Sequence, residues 1–163
     1  MRFGLGFDIH RLRQAAAPGN LVLGAVAIPG PLALEAHSDG DVLLHALVDA
    51  CLGALALGDI GQLFPDTDQR HKNRSSSEFV IEAMARVHSA GWKISQVDSN
   101  IFLEYPKLAP YMGAIRKSLS VLLGVELADV SVKAKTFEGL GPIGAGTAVA
   151  AQVLVALIRP AGR

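Results

Sequence analysis

The sequence has little of several features that mark common protein classes. It carries a single cysteine, so no internal disulfide can form, and Cys51 lies in an apolar run typical of a core residue. Its 15 basic and 15 acidic side chains cancel, which leaves no overall charge to attract nucleic acid or an anionic membrane. The longest apolar run, residues 148–158, is interrupted by Gln152 and is too short to span a bilayer. We therefore expect a soluble, cytoplasmic protein with neither nucleic acid nor membrane as a partner.

The chain also lacks linkers, repeats and low-complexity segments, which indicates one domain over residues 1–163. Half of its residues are hydrophobic, enough for a substantial core. Strand patterns alternate with helix patterns, and this order predicts a sheet with helices on one or both faces, in the α/β or α+β class. For residues 148–158 the pattern fits an alanine-rich helix and a buried strand equally well.

Three helices are predicted from capping signals and apolar spacing. The first begins near Ser38, taken as its N-cap with Asp41 three residues later. The second begins at Ser75, with Glu78 completing a capping box, and ends at Gly91. The third covers about residues 107–123. A polar loop separates the first helix from the second.

The first strand carries the earliest chemical signal. Apolar residues alternate over positions 3–9, which predicts a half-buried strand. Successive side chains in a strand point to opposite faces, so Asp8 and His10 are expected together on the face that the apolar residues do not use. Gly4 and Gly6 clear the space beside them. A carboxylate and an imidazole so placed provide two ligands for a divalent cation.

A third ligand is available on the first helix. Asp41, His45 and Asp49 are spaced by four and project from one face of an otherwise apolar helix. We predict that Asp8, His10 and His45 form a three-ligand site with an open position, the arrangement of a catalytic zinc, and that Asp49 orients the His45 ring. The alternative is a hydrogen-bonded or solvated histidine with the aspartates covering an exposed edge.

Other polar segments point to phosphate. His37 and Ser38 lie at a predicted helix N-terminus, where free N–H groups favour anions. Lys133 and Lys135 share a strand face, and Glu138 follows in a glycine-rich loop, where a carboxylate suits magnesium or manganese. Solvated lysines are the alternative. Residues 64–68 are interpreted as a polar loop that contacts the substrate.

Four motifs together resemble one enzyme family. They are GFDIH at residues 6–10, AHSDGDVLLHALVDACLGALALGDIGQLFPDTD at 36–68, YPKLAPY at 105–111 and VKAKTFEGLGPIGAG at 132–146. In this order they are similar to the 2-C-methyl-D-erythritol 2,4-cyclodiphosphate synthases of the non-mevalonate (MEP) isoprenoid pathway. The resemblance covers nearly the whole chain, and the His-Ser-Asp-Gly-Asp block with its following His and Asp is its most specific part.

The resemblance implies a fold, an assembly and a reaction. The fold is α+β, an α/β sandwich in which helices cover a mixed sheet, with residues 148–158 as a strand. The assembly is a homotrimer with active sites at subunit interfaces. The reaction is a lyase-type cyclisation of 4-diphosphocytidyl-2-C-methyl-D-erythritol 2-phosphate. The 2-phosphate attacks the β-phosphate, CMP leaves, and no water is consumed.

The resemblance also implies roles for individual residues. Zinc, one ion per active site, is held by Asp8, His10 and His45, and Glu138 binds a second divalent cation, magnesium or manganese. His37 and Thr136 stabilise the transition state, and Ser38 helps to hold the phosphate. The methylerythritol side of the pocket comprises Asp59, Ile60, Gly61, Phe64, Pro65, Asp66, Thr67 and Asp68. The cytidine side, lent by the neighbouring subunit, comprises Leu103, Glu104, Tyr105, Pro106, Lys107, Leu108, Ala109, Ala134, Lys135 and Thr136.

The sequence departs from the family near its C-terminal end. Gly144 to Thr147 stand where many members carry Gly-Arg-Gly-Glu, so an arginine that can hold an anion on the trimer axis is replaced by Ala145. Pro142, assigned to the substrate site, replaces a common phenylalanine. Two other functions remain open. A zinc-dependent phosphohydrolase would use the same ligands to activate water, and a non-enzymatic trimeric ligand-binding protein would keep the fold alone.

Overall fold

The computed structural model describes residues 1–35, 39–65 and 74–160. The strands of the sheet are β1 (Arg2–Leu23), β2 (Val26–Glu35), β3 (Lys93–Phe102), β4 (Val130–Lys135) and β5 (Ala148–Ile158). The helices are α1 (Val42–Leu55), α2 (Ile60–Leu63), α3 (Ser76–Ser89), α4 (Met112–Leu123) and α5 (Gly141–Gly144). Single 3₁₀ turns occupy Ala109–Tyr111 and Leu127–Asp129.

The strands form one mixed sheet in the order β2-β1-β5-β3-β4. Only the β3–β4 pair among these neighbours is parallel, and the other three pairs are antiparallel. A two-residue turn at Gly24 and Ala25, with φ of 61° and 59°, joins β1 to β2. The mixed sheet is confirmed, and residues 148–158 form a strand in its centre.

Helices α1, α3 and α4 lie on one face of the sheet, and the short helix α5 packs through Ile143 against Ala148 and Ala150 on the other. Helix α1 packs against β1 and β5, α4 packs against β4, and α3 packs against α1. Residues of β5 such as Val153, Val155 and Leu157 point toward this layer and are buried. The apolar side chains predicted for α3, which include Phe79, are buried as well. The core therefore lies between the sheet and α1. None of the helices within the described residues is long and apolar enough to cross a membrane.

The predicted start of the first helix is wrong. Its N-cap is Asp41, whose carboxylate accepts hydrogen bonds from the backbone N–H groups of Leu43 and Leu44. The same carboxylate also accepts the N–H groups of Gly24 and Ala25 in the β1–β2 turn. A fully buried carboxylate with these four donors fixes the start of α1 more strongly than a single hydroxyl would. Ser38 lies outside the described residues.

The boundaries of two later elements also differ from the prediction. The helix expected from about residue 107 begins as the 3₁₀ turn Ala109–Tyr111 and becomes α-helical only at Met112. Its proline is in this turn, where the missing N–H costs nothing. The glycine-rich loop predicted around and after Glu138 contains the short helix α5. By contrast, Ser75 is the N-cap of α3, as predicted.

The first strand was predicted to bury its alternating apolar residues, but in the structure these residues lie on its exposed face. Its apolar residues are 62% (Phe3), 63% (Leu5), 52% (Phe7) and 49% (Ile9) exposed. The face toward α1 carries Gly4 and Gly6, because the helix backbone lies directly against them. A Cβ on Gly6 would lie 1.9 Å from the carbonyl oxygen of Ala46. The apolar face is the outer face of the sheet, and the glycine face packs against the helix.

Candidate metal centre

The close contact between β1 and α1 brings three predicted ligands together. Asp8 and His10 follow Gly6 on the face toward α1, and His45 lies in the first turns of that helix. Oδ2 of Asp8 is 2.9 Å from Nε2 of His10 and 3.0 Å from Nδ1 of His45. The two ring nitrogens are 3.3 Å apart. The predicted convergence of these side chains is confirmed.

This triangle fits a tetrahedral divalent cation. Ligand atoms bound at about 2.0 Å in tetrahedral geometry lie about 3.3 Å from one another. The three observed separations lie between 2.9 and 3.3 Å. Three ligands fill three tetrahedral corners and leave the fourth for a substrate oxygen. The side chains are partly exposed, so a ligand can reach the centre from solvent.

Asp8 is charged in this arrangement. Burial raises the pKa of its carboxyl group, but hydrogen bonds and charge interactions with His10 and His45 outweigh that effect and hold the pKa well below its usual range. The carboxylate therefore stays ionised at neutral pH. An ionised oxygen beside two imidazoles is the donor set that zinc and similar cations prefer.

The two aspartates on the same helix have other roles. Asp41 caps the helix and is not part of the ligand triangle. Asp49 accepts the N–H of Ile60 at 2.7 Å and so holds the start of α2 against α1. The prediction that Asp49 orients the His45 ring is wrong, because the second ring nitrogen of His45 lies 2.9 Å from Oγ of Ser76.

The segment predicted to bind methylerythritol lies next to the metal centre. Asp59 is the N-cap of α2, and Ile60 and Gly61 form the first turn of this helix. Phe64 is buried with its ring centroid 4.5 Å from that of Phe79, which in turn lies 6.3 Å from the His45 ring. Pro65 is exposed beside it. Three other residues predicted for the methylerythritol side lie outside the described residues, namely Asp66, Thr67 and Asp68, and so do His37 and Ser38, which were predicted to act on the phosphate.

The residues predicted for the cytidine side lie together where β3 and β4 end, on the side of the sheet away from β1 and β2. The N–H of Leu103 donates to the carbonyl of Lys135 at 3.0 Å, and the N–H of Phe137 donates to the Glu104 carboxylate at 3.1 Å. These bonds join the segment after β3 to the segment after β4. The side chains of Leu103 and Leu108 are buried, whereas others of this group are exposed, namely Tyr105, Lys107, Ala109, Ala134 and Lys135.

The last predicted polar residues follow β4 directly. The hydroxyl of Thr136 donates to Oε1 of Glu138 at 2.6 Å, and Glu138 has a positive φ of 50°. Glu138 is exposed and Pro142 lies exposed in α5. Lys133 forms an ion pair with Asp98, at 2.5 Å, which makes it a sheet-surface residue.

One chain does not bring these two groups together. Asp8 and Ile101 pair with the same residue of β5, Ala151, so both groups lie at the same end of the sheet. However, β5 and β3 lie between β1 and β4. Three strand spacings of about 4.8 Å separate the metal centre from the β4 segment by about 14 Å.

Sequence reasoning missed the residues that surround His45. Ser76 is fully buried at the start of α3 and contacts both His45 and Asp39. Arg74 lies over the Phe79 ring at 4.9 Å and forms an ion pair with Glu82. These residues are about 30 positions from His45 in the chain, and a local pattern contains no signal for such contacts. Asp39 belongs to the His-Ser-Asp-Gly-Asp block, which was the one available indication.

Known proteins match the chain over most of its length. The model of the YgbB family matches residues 1–158. A Treponema denticola protein named 2-C-methyl-D-erythritol 2,4-cyclodiphosphate synthase is 48% identical over 151 residues, which cover 93% of this chain and 92% of that protein.

Solved structures agree in fold. A structure of 2C-methyl-D-erythritol-2,4-cyclodiphosphate synthase described as the CDP-bound form is 43% identical, with a TM-score of 0.88, and the match covers 96% of this chain and 100% of that one. A CDP complex of IspF from Plasmodium falciparum is 34% identical, with a TM-score of 0.85 and coverage of 98% and 97%. Together with the family model and the Treponema protein, these matches show that the chain belongs to the YgbB family, that of the 2-C-methyl-D-erythritol 2,4-cyclodiphosphate synthases.

Proposed function

We propose that this protein converts 4-diphosphocytidyl-2-C-methyl-D-erythritol 2-phosphate into 2-C-methyl-D-erythritol 2,4-cyclodiphosphate and CMP, in the MEP pathway. An oxygen of the 2-phosphate forms a bond to the β-phosphorus. The bond between that phosphorus and the oxygen bridging to the α-phosphate breaks, and CMP leaves with the electron pair. Atoms and charge balance without water, so the enzyme is a lyase. The observation that carries this proposal is the triangle of Asp8, His10 and His45 in a chain of this family.

The residues of the chain act mainly by binding and orientation. The reaction is intramolecular, so holding the substrate folded on itself supplies much of the rate enhancement. Phosphoryl transfer then needs positive charge and hydrogen-bond donors around the equatorial oxygens. We assign His37 and Thr136 to this stabilisation and Ser38 to holding the phosphate. The carboxylate of Asp59 is exposed beside the metal centre, where it can accept a hydroxyl of methylerythritol.

Two cations fit the available donors. We assign zinc to Asp8, His10 and His45, since the donor set is one carboxylate and two imidazoles at tetrahedral spacing. We assign magnesium or manganese to Glu138, whose oxygen donor suits a hard cation next to phosphates. When bound, these ions supply positive charge against the phosphate oxygens. The chain itself provides the ligands and the shape of the site.

We infer further that the active site is completed by a second copy of the chain in a homotrimer. Two strand spacings separate the metal centre from the cytidine segment after β3 and three separate it from the segment after β4, about 10 and about 14 Å, so a substrate bound at the metal centre needs a cytidine pocket from elsewhere. The outer face of the sheet supports such an assembly, because it exposes a continuous set of large apolar side chains on two adjacent strands, namely Phe3, Leu5, Phe7, Ile9 and Leu154. A contiguous apolar surface of this kind marks an interface.

The same inference covers the axis of the trimer. Ala145 and Thr147 carry no positive charge, and the nearby cluster of Ile143, Ala148 and Ala150 with Phe102 is apolar. We therefore propose that this protein has no anion site on the trimer axis, because Ala145 stands where many family members carry an arginine.

Phosphorus NMR of the reaction distinguishes this function from a phosphohydrolase. With purified protein, substrate, zinc and magnesium, we expect resonances of a cyclic diphosphate together with CMP. His45→Ala should lose bound zinc and ring closure, and Glu138→Ala should keep bound zinc but lose the magnesium or manganese dependence. Inorganic phosphate as the product would support the hydrolase instead. Binding of the substrate without turnover would support a ligand-binding protein.

A further inference from the structure

The His45 ring is held on both of its nitrogens. Nδ1 faces Asp8 and His10, at 3.0 and 3.3 Å. Nε2, on the opposite side of the ring, lies 2.9 Å from the hydroxyl oxygen of Ser76. Ser76 is the first residue of α3 and is 0% exposed, so water does not compete for its hydroxyl group. The ring therefore bridges the metal centre and the N-terminus of α3.

Ser76 is itself held by Asp39. The Ser76 hydroxyl donates to Oδ1 of Asp39, and the Ser76 N–H donates to Oδ2 of Asp39 at 3.0 Å. Asp39 precedes α1 and also accepts the N–H of Asp41, the residue that caps this helix, at 3.3 Å. The starts of α1 and α3 are thus joined through one carboxylate.

The directions of the hydrogen bonds from Asp39 through Ser76 to His45 determine which ring nitrogen of His45 carries a proton. An ionised carboxylate can only accept hydrogen bonds, so the hydroxyl proton of Ser76 points to Asp39. The Ser76 oxygen is then left with its lone pairs toward His45, and Nε2 of His45 must be the donor. A ring that keeps its proton on Nε2 presents Nδ1 to Asp8 and His10, and when a metal takes the place of the hydrogen bond from Nδ1 to Asp8, the lone pair of Nδ1 is free to bind it. A metal-binding nitrogen needs this free lone pair.

We propose that Ser76, supported by Asp39, is a positioning residue that fixes the tautomer and the orientation of His45 for metal binding. This inference rests on the proposed function, since it assumes that the triangle binds a metal. It goes beyond the three ligands, because it assigns the start of α3 to the metal centre. It also predicts that a change at Ser76 weakens metal binding without removing a ligand.

The test compares two neighbouring serine variants. Ser76→Ala removes the hydroxyl that accepts from His45, and zinc affinity, measured by competition with a chelator, should fall by about 10- to 100-fold. Ser75→Ala is the matched control. The hydroxyl of Ser75 accepts the N–H of Ser77 at the start of α3 and donates to Asp39, and neither of these hydrogen bonds involves the His45 ring. Ser75→Ala should lower the melting temperature and leave zinc affinity within about twofold. Zinc affinity that is equal in Ser76→Ala and wild type would overturn the proposal.

A second measurement covers the case in which Ser76→Ala is poorly folded. In zinc-loaded wild type, nitrogen NMR of histidine-labelled protein should show His45 bound through Nδ1, with a slowly exchanging proton on Nε2. In Asp39→Asn, which keeps the shape of the carboxylate but can donate, that proton should exchange faster. Coordination of zinc through Nε2 of His45 in wild type would contradict the assignment. A protein that binds zinc as expected but does not close the ring would contradict the proposed function and leave the role of Ser76 intact.

Discussion

Gly6→Ala tests whether the metal centre depends on the close approach of β1 and α1. A Cβ at this position would lie 1.9 Å from the carbonyl oxygen of Ala46 and 2.7 Å from the backbone nitrogen of Ala50. Both are backbone atoms of a buried helix, so neither can rotate away. Restoring a normal contact of about 3.2 Å requires the strand and the helix to separate by about 1.3 Å. Metal ligands tolerate displacements of only about 0.2 Å.

The expected result of Gly6→Ala has two parts. The unfolding free energy should fall by about 1–3 kcal/mol, the usual cost of overpacking. Zinc affinity should fall at least about tenfold, because His45 precedes Ala46 on the displaced helix and Asp8 follows Gly6 on the strand. Urea unfolding and chelator competition measure the two quantities.

Gly53→Ala is the matched control for this substitution. Gly53 lies in the same helix, and a Cβ there would have no neighbour within 4 Å. It should stabilise the protein by about 0.5–1 kcal/mol and leave zinc affinity unchanged. If Gly6→Ala bound zinc as tightly as wild type, the contact between strand and helix would not be what positions the ligands.

Two further predictions concern Asp41, the buried N-cap of α1, and the exposed outer face of the sheet. Burial raises the pKa of Asp41 to about 6, above its unfolded value of 3.8, so its contribution to stability is complete below about pH 4 and is lost as the pH rises through 6. The difference in unfolding free energy between wild type and Asp41→Asn should therefore be about 2 kcal/mol larger at pH 4.5 than at pH 7.5, and a constant difference would show that the folded pKa is not raised. Leu5→Lys, on the exposed apolar face, should convert the proposed trimer to single chains in analytical ultracentrifugation, because a buried lysine without a partner loses its hydration. Val121→Lys, at a residue of α4 that is 75% exposed, should leave the mass unchanged, and a trimer that persists in Leu5→Lys would place the interface elsewhere.

The ligand triangle could be predicted because its residues lie at spacings that place side chains on one face of a strand and on one face of a helix. Asp8 and His10 are two residues apart, the period that places strand side chains on one face. His45 lies in a helix whose apolar character implied that it packs against the sheet. The sequence does not state that this helix lies on β1, but a shared cation was a reason to join the two elements. The structure confirms the contact.

Other parts of the fold could not be predicted from local patterns. Alternation in β1 shows which residues share a face, but it does not show which face meets the helices of the same chain. Here Gly4 and Gly6 face the helix, since only glycine allows the backbone of α1 to lie so close. Similarly, the ring nitrogen of His45 has its partner 31 residues away in Ser76, and Asp49, at helical spacing, was the wrong choice. Contacts of this range depend on tertiary packing.

The opening strand therefore contributes to two surfaces at once. Its glycine face allows α1 to approach and carries the metal ligands at its end, while the part of the chain that the structure describes leaves its apolar face exposed. A buried face made of glycine provides little hydrophobic free energy by itself, because it has almost no side-chain area. Apolar area that can still be buried lies on the other face, where the described residues leave Phe3, Leu5 and Phe7 exposed and available to a second molecule. The geometry that forms the metal centre and the surface that favours assembly therefore arise from the same alternation, so a substitution at residues 3–10 of β1 affects the metal centre at an even position and the outer apolar face at an odd one.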